Sequence, residues 1–226
     1  MHEAFPATAA TWLVCQLDRG AEARSLALRH VMEVYREPLT VYCRGCSLGW
    51  VGEASDLVSG FFADRLSRDA FLDRWRESRR PLRFWLIVGF KHYLYEQARS
   101  LKRHAHDRVP SVIDDAGLGV DRTPDREFER ACAVDIVRAA LNRTAERCQG
   151  EGLADHWSVF VLHYVRGMSY AQVEARLGLP RARSAVMVRT VSKRFREEIL
   201  DLVAWEGATS EEMERELADL MRSCAA

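Results

Sequence analysis

"SYAQVEARLGLPRARSAVMVR", residues Ser169 to Arg189, spells two helices around a tight corner. Ser169 followed three residues later by Gln172 makes a capping box, in which each side chain accepts from the other residue's backbone N–H. Tyr170, Val173 and Leu177 then share one apolar face. Gly178 suits the left-handed position that ends a helix, and Pro180 blocks simple continuation. Beyond the corner, Val188, Val191, Phe195 and Ile199 recur at helical spacing and define a core side, with Arg183, Thr190 and Arg194 opposite, flanked by Arg189 and Lys193. A short helix, a glycine turn and a basic second helix form the helix-turn-helix pattern, whose second helix enters the major groove. A charged outer face is ordinary on a surface helix, but Arg181 to Arg196 holds six basic residues and no acid. Two residues fit less easily. Ser184 falls on the core stripe, where an unpaired hydroxyl costs ~1–3 kcal/mol, and Glu174 is expected to point outward.

The chain has 226 residues, room for one large domain or two of roughly 80–100 residues. Its apolar fraction of 48% and charged fraction of 29% are those of a globular protein. No apolar run approaches the ~20 residues that span a bilayer. The stretch MHEAFPATAATWLV lacks the basic and apolar regions of a secretion signal, so a cytoplasmic location is expected. Cys15, Cys43, Cys46, Cys132, Cys148 and Cys224 therefore read as free thiols, and the Cys43–Cys46 pair lacks a second pair at zinc-site spacing. Seven histidines form no ligand motif, and no phosphate loop or nucleophile elbow is present. Neither catalysis, a metal nor a cofactor is expected.

Net charge is zero, with 33 basic and 33 acidic residues, but the charges are blocked. Arg74 to Arg108 holds ten basic residues and three acids, whereas Glu197 to Ala226 holds nine acids and two arginines. Two basic blocks and an acidic tail suggest two polyanion-facing surfaces. Nearly every segment has helical period and none alternates as a strand, so the class is all-α. Leu26, Val31, Val34 and Tyr35 lie on a helix that Pro38 ends or kinks. Ala54 to Leu66 is amphipathic, and a long helix runs from Leu82 to about Lys102. HDRVPSVIDDAGLGVDRTP, residues 106–124, has linker composition. Thr123-Pro124-Asp125 starts a helix that Gln149-Gly150-Glu151-Gly152 breaks, further helices follow near 155–166, 169–177 and 181–204, and Thr209 caps a last one.

The first basic block mixes Arg79, Arg80, Arg83, Lys91, Arg99, Lys102 and Arg103 with Phe84, Trp85, Phe90, Tyr93 and Tyr95. Basic residues track a phosphate backbone, and exposed aromatics stack on unpaired bases, unless they are core. The preceding helix is acidic outside its apolar stripe, with Asp56, Ser59 and Asp64 there and one of Phe61 and Phe62 open to solvent; it reads as a protein-docking surface or a plain solvated face.

In this order the parts resemble an RNA polymerase sigma factor of the extracytoplasmic-function (ECF) type, in a branch with N- and C-terminal extensions. The likeness rests on Asp56-Leu-Val-Ser-Gly-Phe-Phe, Arg83-Phe-Trp-Leu through Lys102-Arg103, and Gly167-Met-Ser-Tyr to Leu177-Gly-Leu-Pro180. Phe5-Pro6, Thr11-Trp12-Leu13, Tyr35, Pro38-Leu39, Phe90 to Leu94 and the tail from Glu206 to Leu220 extend it over most of the chain. The resemblance implies two helical domains: a region 2-like domain over 1–104 and a region 4-like helix-turn-helix domain over 124–204, with a flexible linker at 105–123 and an acidic helical extension at 205–226. It assigns polymerase docking to Asp56, Leu57, Ser59, Phe61, Phe62 and Asp64. It assigns the −10 element to Arg83, Trp85, Lys91, His92, Tyr93, Tyr95, Arg99, Lys102 and Arg103. The −35 element falls to Ser169, Tyr170, Arg181, Arg183, Met187, Arg189, Thr190, Lys193 and Arg194.

The implied partners are core RNA polymerase and promoter DNA, with room for an anti-sigma factor, no membrane, and a monomer when free. The family usually has glutamine at position 59, alanine at 174, valine at 184, lysine at 185 and a basic residue at 187, where this chain has Ser59, Glu174, Ser184, Ala185 and Met187. Two other readings stand beside this one. A helix-turn-helix regulator that never joins polymerase would be indifferent to charge reversal at Asp56 and Asp64. A sigma-derived interaction protein would bind DNA, if at all, without regard to Arg183 and Arg194.

Overall fold

A computed structural model describes residues 10–106, 122–204 and 208–225, which form ten α-helices and no strand. They are α1 (Ala10–Leu17), α2 (Ala21–Gly45), α3 (Ala54–Phe61), α4 (Asp69–Ser78), α5 (Leu82–His106), α6 (Arg122–Gly150), α7 (Ala154–Phe160), α8 (Tyr170–Leu177), α9 (Arg181–Val203) and α10 (Ser210–Ala225). A 3-10 turn at Gly49–Val51 precedes α3, and π turns at Phe62–Leu66 and Val161–Val165 prolong α3 and α7. The all-α expectation holds. Residues 107–121, the middle of the expected linker, lie outside the described residues, as does the start of the chain with Phe5 and Pro6.

The chain divides into two compact units, Met1–Asp135 with Val203–Ala226, and Ile136–Leu202. The division thus falls within α6, between Asp135 and Ile136, where the sequence suggests 123/124. Helix α10 belongs to the first unit. Linker composition favours a boundary near 123/124, whereas the compact units divide within α6.

The first unit is built on an aromatic cluster. The Phe61 ring lies 5.3 Å from Phe90, 5.9 Å from Phe71 and 5.9 Å from Tyr93, centroid to centroid. Edge-on and tilted pairs of this kind add to what burial of each ring contributes, about 1.5–3 kcal/mol. Phe61 and Phe62 are both buried, so neither is the exposed phenylalanine expected of this helix. The cluster also needs Gly89, since a Cβ there would stand 2.9 Å from Cζ of Phe71. Helix α2 does not end at Pro38 but runs on to Gly45. Proline removes one intrahelical hydrogen bond, and burial of Pro38, Leu39, Tyr42 and Cys43 outweighs that loss. Helix α4 buries Leu72 and Trp75, and the Trp75 indole donates to the Arg80 carbonyl at 2.8 Å across the turn that follows.

The second unit packs Cys148, Val159, Phe160, Val173, Met187, Val188 and Val191 together. Phe160 stacks on Trp157 at 5.6 Å and meets Phe195 at 6.0 Å. Among the described residues no helix is long and apolar enough to cross a membrane.

Candidate nucleic-acid interface

Helix α5 has two unlike sides. Leu86, Phe90 and Leu94 are fully buried, whereas Phe84, Val88, His92, Tyr95 and Arg99 form an exposed stripe at spacings of four, four, three and four. Phe84 is 38% and Tyr95 36% exposed, and Lys102 and Arg103 extend the stripe. Glu96, the sole acid on α5, is tied to Arg65 in the π turn after α3. An exposed run of two aromatics, an imidazole and three cations therefore has no acidic partner among the described residues.

Of the nine residues assigned to this surface, His92, Tyr95, Arg99, Lys102 and Arg103 lie on it, and four do not. Arg83 is buried and paired with Glu129 at 3.0 Å and with Glu216. Tyr93 is buried against Phe61, and burial, reinforced by the Asp64 charge, pushes its phenol pKa up. Lys91 binds Asp125 at 2.6 Å and lies 5.5 Å above the Tyr42 ring. Trp85 is half-buried, edge-on to Phe71 at 5.8 Å. Phe84 and Val88 belong to the stripe, although the assigned set omits them. Their spacing on the side opposite Leu86 and Phe90 is the signal that marks them.

The docking set also divides. Leu57, Phe61 and Phe62 are core residues that fix α3 from within. Asp64 is held by Arg65 at 3.0 Å and Arg68 at 2.5 Å. Ser59 donates to the Ser55 carbonyl at 2.8 Å and accepts from Arg36 at 3.4 Å. Asp56, exposed in the first turn of α3, is left as the open acid of the set. On the preceding 3-10 turn Trp50 is 58% exposed, a feature no periodicity marks.

In the second unit the corner forms as its sequence predicts. The Ser169 N–H donates to Gln172 Oε1 at 2.8 Å, the Gln172 N–H donates to Ser169 Oγ at 3.3 Å, and Gly178 takes φ 66°. Tyr170 stacks at 4.2 Å on His163, whose ring meets the Met168 carbonyl at 2.8 Å through Nδ1, and this pins the start of α8. On α9 the exposed face carries Arg183, Val186, Arg189 and Lys193, with Thr190 half-buried and donating to the Val186 carbonyl at 3.0 Å. Arg183, Arg189 and Lys193 have no acidic partner among the described residues. Val186 is 61% exposed on the same face and lies outside the assigned set. Cations suit phosphates or guanine edges, and an apolar side chain between them suits a thymine methyl.

Three assigned residues do other work. Met187 is buried in the core, one helical step away from the outer face. Arg194 donates to Glu151 at 2.8 Å and 2.5 Å and to the Thr190 carbonyl at 3.2 Å, so it braces α9. Arg147 joins that brace, reaching Glu151 at 3.0 Å, Glu197 at 3.0 Å and Glu198 at 3.2 Å. Hydrogen bonds from Arg194 and Arg147 hold the Glu151 carboxyl below its usual pKa. Arg181 is paired at 2.7 Å with Glu174, the residue expected to point outward. Exposed pairs contribute little stability, but this one sets a carboxylate beside the basic N-terminal end of α9. Glu174→Ala is therefore expected to tighten duplex binding about 5-fold in low salt and to steepen its salt dependence by about one counterion. Fluorescence anisotropy over a salt series checks both.

Ser184 is fully buried, and its hydroxyl has no hydrogen-bond partner among the described residues. Ser184→Ala removes that desolvated group and adds helix propensity, so an increase of about 1 kcal/mol in unfolding free energy is expected in urea. No protein-family model, no curated protein and no solved structure matches this chain.

Proposed function

We propose that the chain is a promoter-recognition subunit of RNA polymerase, of the ECF sigma type, acting through two nucleic-acid surfaces. The observation that carries the reading is the open stripe Phe84, Val88, His92, Tyr95 and Arg99 on α5. A regulator that reads only duplex DNA has no use for exposed aromatics among cations in a second unit, whereas a protein that captures unpaired bases needs them. The cations of the stripe would follow the phosphates of an opened strand. Phe84 and Tyr95 would stack on its bases, each stack worth ~1–3 kcal/mol, which offsets the few kcal/mol of unpairing a base.

The α8–α9 corner would set Arg183, Val186, Arg189 and Lys193 on duplex DNA through the major groove. Two cations of its basic block are already occupied by Glu174 and Glu151, so this module is weak alone. Both modules belong to one chain, so binding of one raises the effective concentration of the other. Specific initiation then requires both DNA elements together.

Asp56 separates this reading from that of a regulator that never meets polymerase. Immobilised wild-type protein is expected to retain core RNA polymerase. Asp56→Lys is expected to weaken that retention about 10-fold with an unchanged melting temperature. Asp64 is the poorer probe, because reversing it also breaks its pairs with Arg65 and Arg68. If the wild type retains no core enzyme, the sigma reading fails and the regulator reading takes its place.

A further inference from the structure

Arg83 lies on the core-facing side of α5, where it, Ile87, Phe90 and Leu94 recur at spacings of four, three and four and are all buried. Phe84 begins the opposite, exposed stripe. The Arg83 guanidinium links the two sides. Its Cζ sits 4.1 Å from the centroid of the Phe84 ring. Its Nε donates to Glu129 Oε2 on α6 at 3.0 Å, and Nη1 donates to Glu216 Oε1 on α10. Glu216 is buried as well, on the face of α10 that carries Leu217 and Leu220. A guanidinium is planar, with its donors in the plane. Carboxylates at its edge therefore leave a flat cationic face for an aromatic ring.

We infer that Glu216 and Glu129 are positioning residues for base stacking: they lock the Arg83 guanidinium, which in turn backs the Phe84 ring. Helix α10 thereby supports capture of unpaired bases without touching DNA. The inference rests on the role proposed for α5. Masking is the rival account, in which Glu216 hides a DNA-binding cation. Two observations favour positioning: Arg83 points to the core side, and loss of Glu216 would leave Glu129 still on it. A ring held in place before binding loses less freedom when a base stacks on it, which is how preorganisation raises affinity.

The test uses the full chain, a fluorescent single-stranded oligonucleotide and a salt series. Glu216→Gln is expected to weaken binding about 2- to 5-fold, the size of one cation–π contact. The salt slope should not change, because no phosphate contact is lost, and the effect should vanish in a Phe84→Ala background. A protein carrying 4-fluorophenylalanine at position 84 should show a shifted fluorine resonance when Glu216→Gln is added. Glu129→Gln should reproduce the pattern, and it carries the test if Glu216→Gln does not fold. Tighter binding with a steeper salt slope would establish masking and overturn positioning. Unchanged binding and resonance, or an equal loss in the Phe84→Ala background, would overturn it too. If the wild type binds no single strand, the reading of α5 falls, while an unmoved fluorine resonance would separately refute the link between Glu216 and the ring.

Discussion

Phe84→Ala combined with Tyr95→Ala is expected to weaken binding of a single-stranded oligonucleotide about 10²-fold and to abolish promoter opening. Each ring is more than a third exposed, so truncation removes stacking surface and not core. At ~1–3 kcal/mol per stacked base, two losses reach that size. Stability should change by less than about 1 kcal/mol, as for surface positions generally. The salt slope should stay constant, since neither ring carries charge. Arg99→Ala makes the contrast: it should cost less affinity and lower the slope by about 0.7, the increment for one single-strand phosphate. A double mutant that bound as the wild type does would show the stripe to be an ordinary surface.

The second large effect belongs to α9. Arg183→Ala, Arg189→Ala and Lys193→Ala together should lower duplex affinity about 10³-fold near physiological salt and reduce the salt slope by about 2.7, or 0.9 for each phosphate. These three residues are exposed and lack acidic partners among the described residues. Arg194→Ala should behave differently. That guanidinium is engaged by Glu151, so its loss should lower the melting temperature and barely touch the slope. A large slope change for Arg194→Ala alone would mean that the brace opens on DNA. Indifference of duplex binding to the triple mutant would favour the interaction-protein reading.

The features legible from sequence are local ones. The capping box at Ser169 and Gln172, the left-handed Gly178 and the cap of Thr209 on Glu212 each depend on residues three or four apart or on one backbone angle. The amphipathic run Ala54 to Leu66 is likewise one period repeated, and it forms as a helix that ends in a π turn. Residues whose surroundings the sequence does not reveal have distant partners. Arg83 meets Glu129, 46 positions on, and Glu216, 133 positions on. Lys91 meets Asp125 across the expected linker. Arginine and lysine clusters read as solvent-facing until an acid from another element is brought to them, and charge counts along the chain do not reveal which acid that is. Adjacent aromatic residues are separated by distant packing too. Phe84 and Trp85 are adjacent and chemically alike, and only the packing of Phe71 against Trp85 decides which of them faces water. Ser184 was legible as an anomaly, because its place on the α9 stripe follows from period alone, and the buried, unpartnered hydroxyl is found there.

In the proposed function one chain joins polymerase and selects promoters with two surfaces. The most direct measurement adds purified protein to core RNA polymerase with a pool of genomic fragments and maps the 5′ ends of the transcripts. Starts are expected at a defined set of sites sharing two upstream elements, with the Phe84/Tyr95 and Arg183/Arg189/Lys193 variants each losing those starts. Transcription no different from that of core enzyme alone would contradict it.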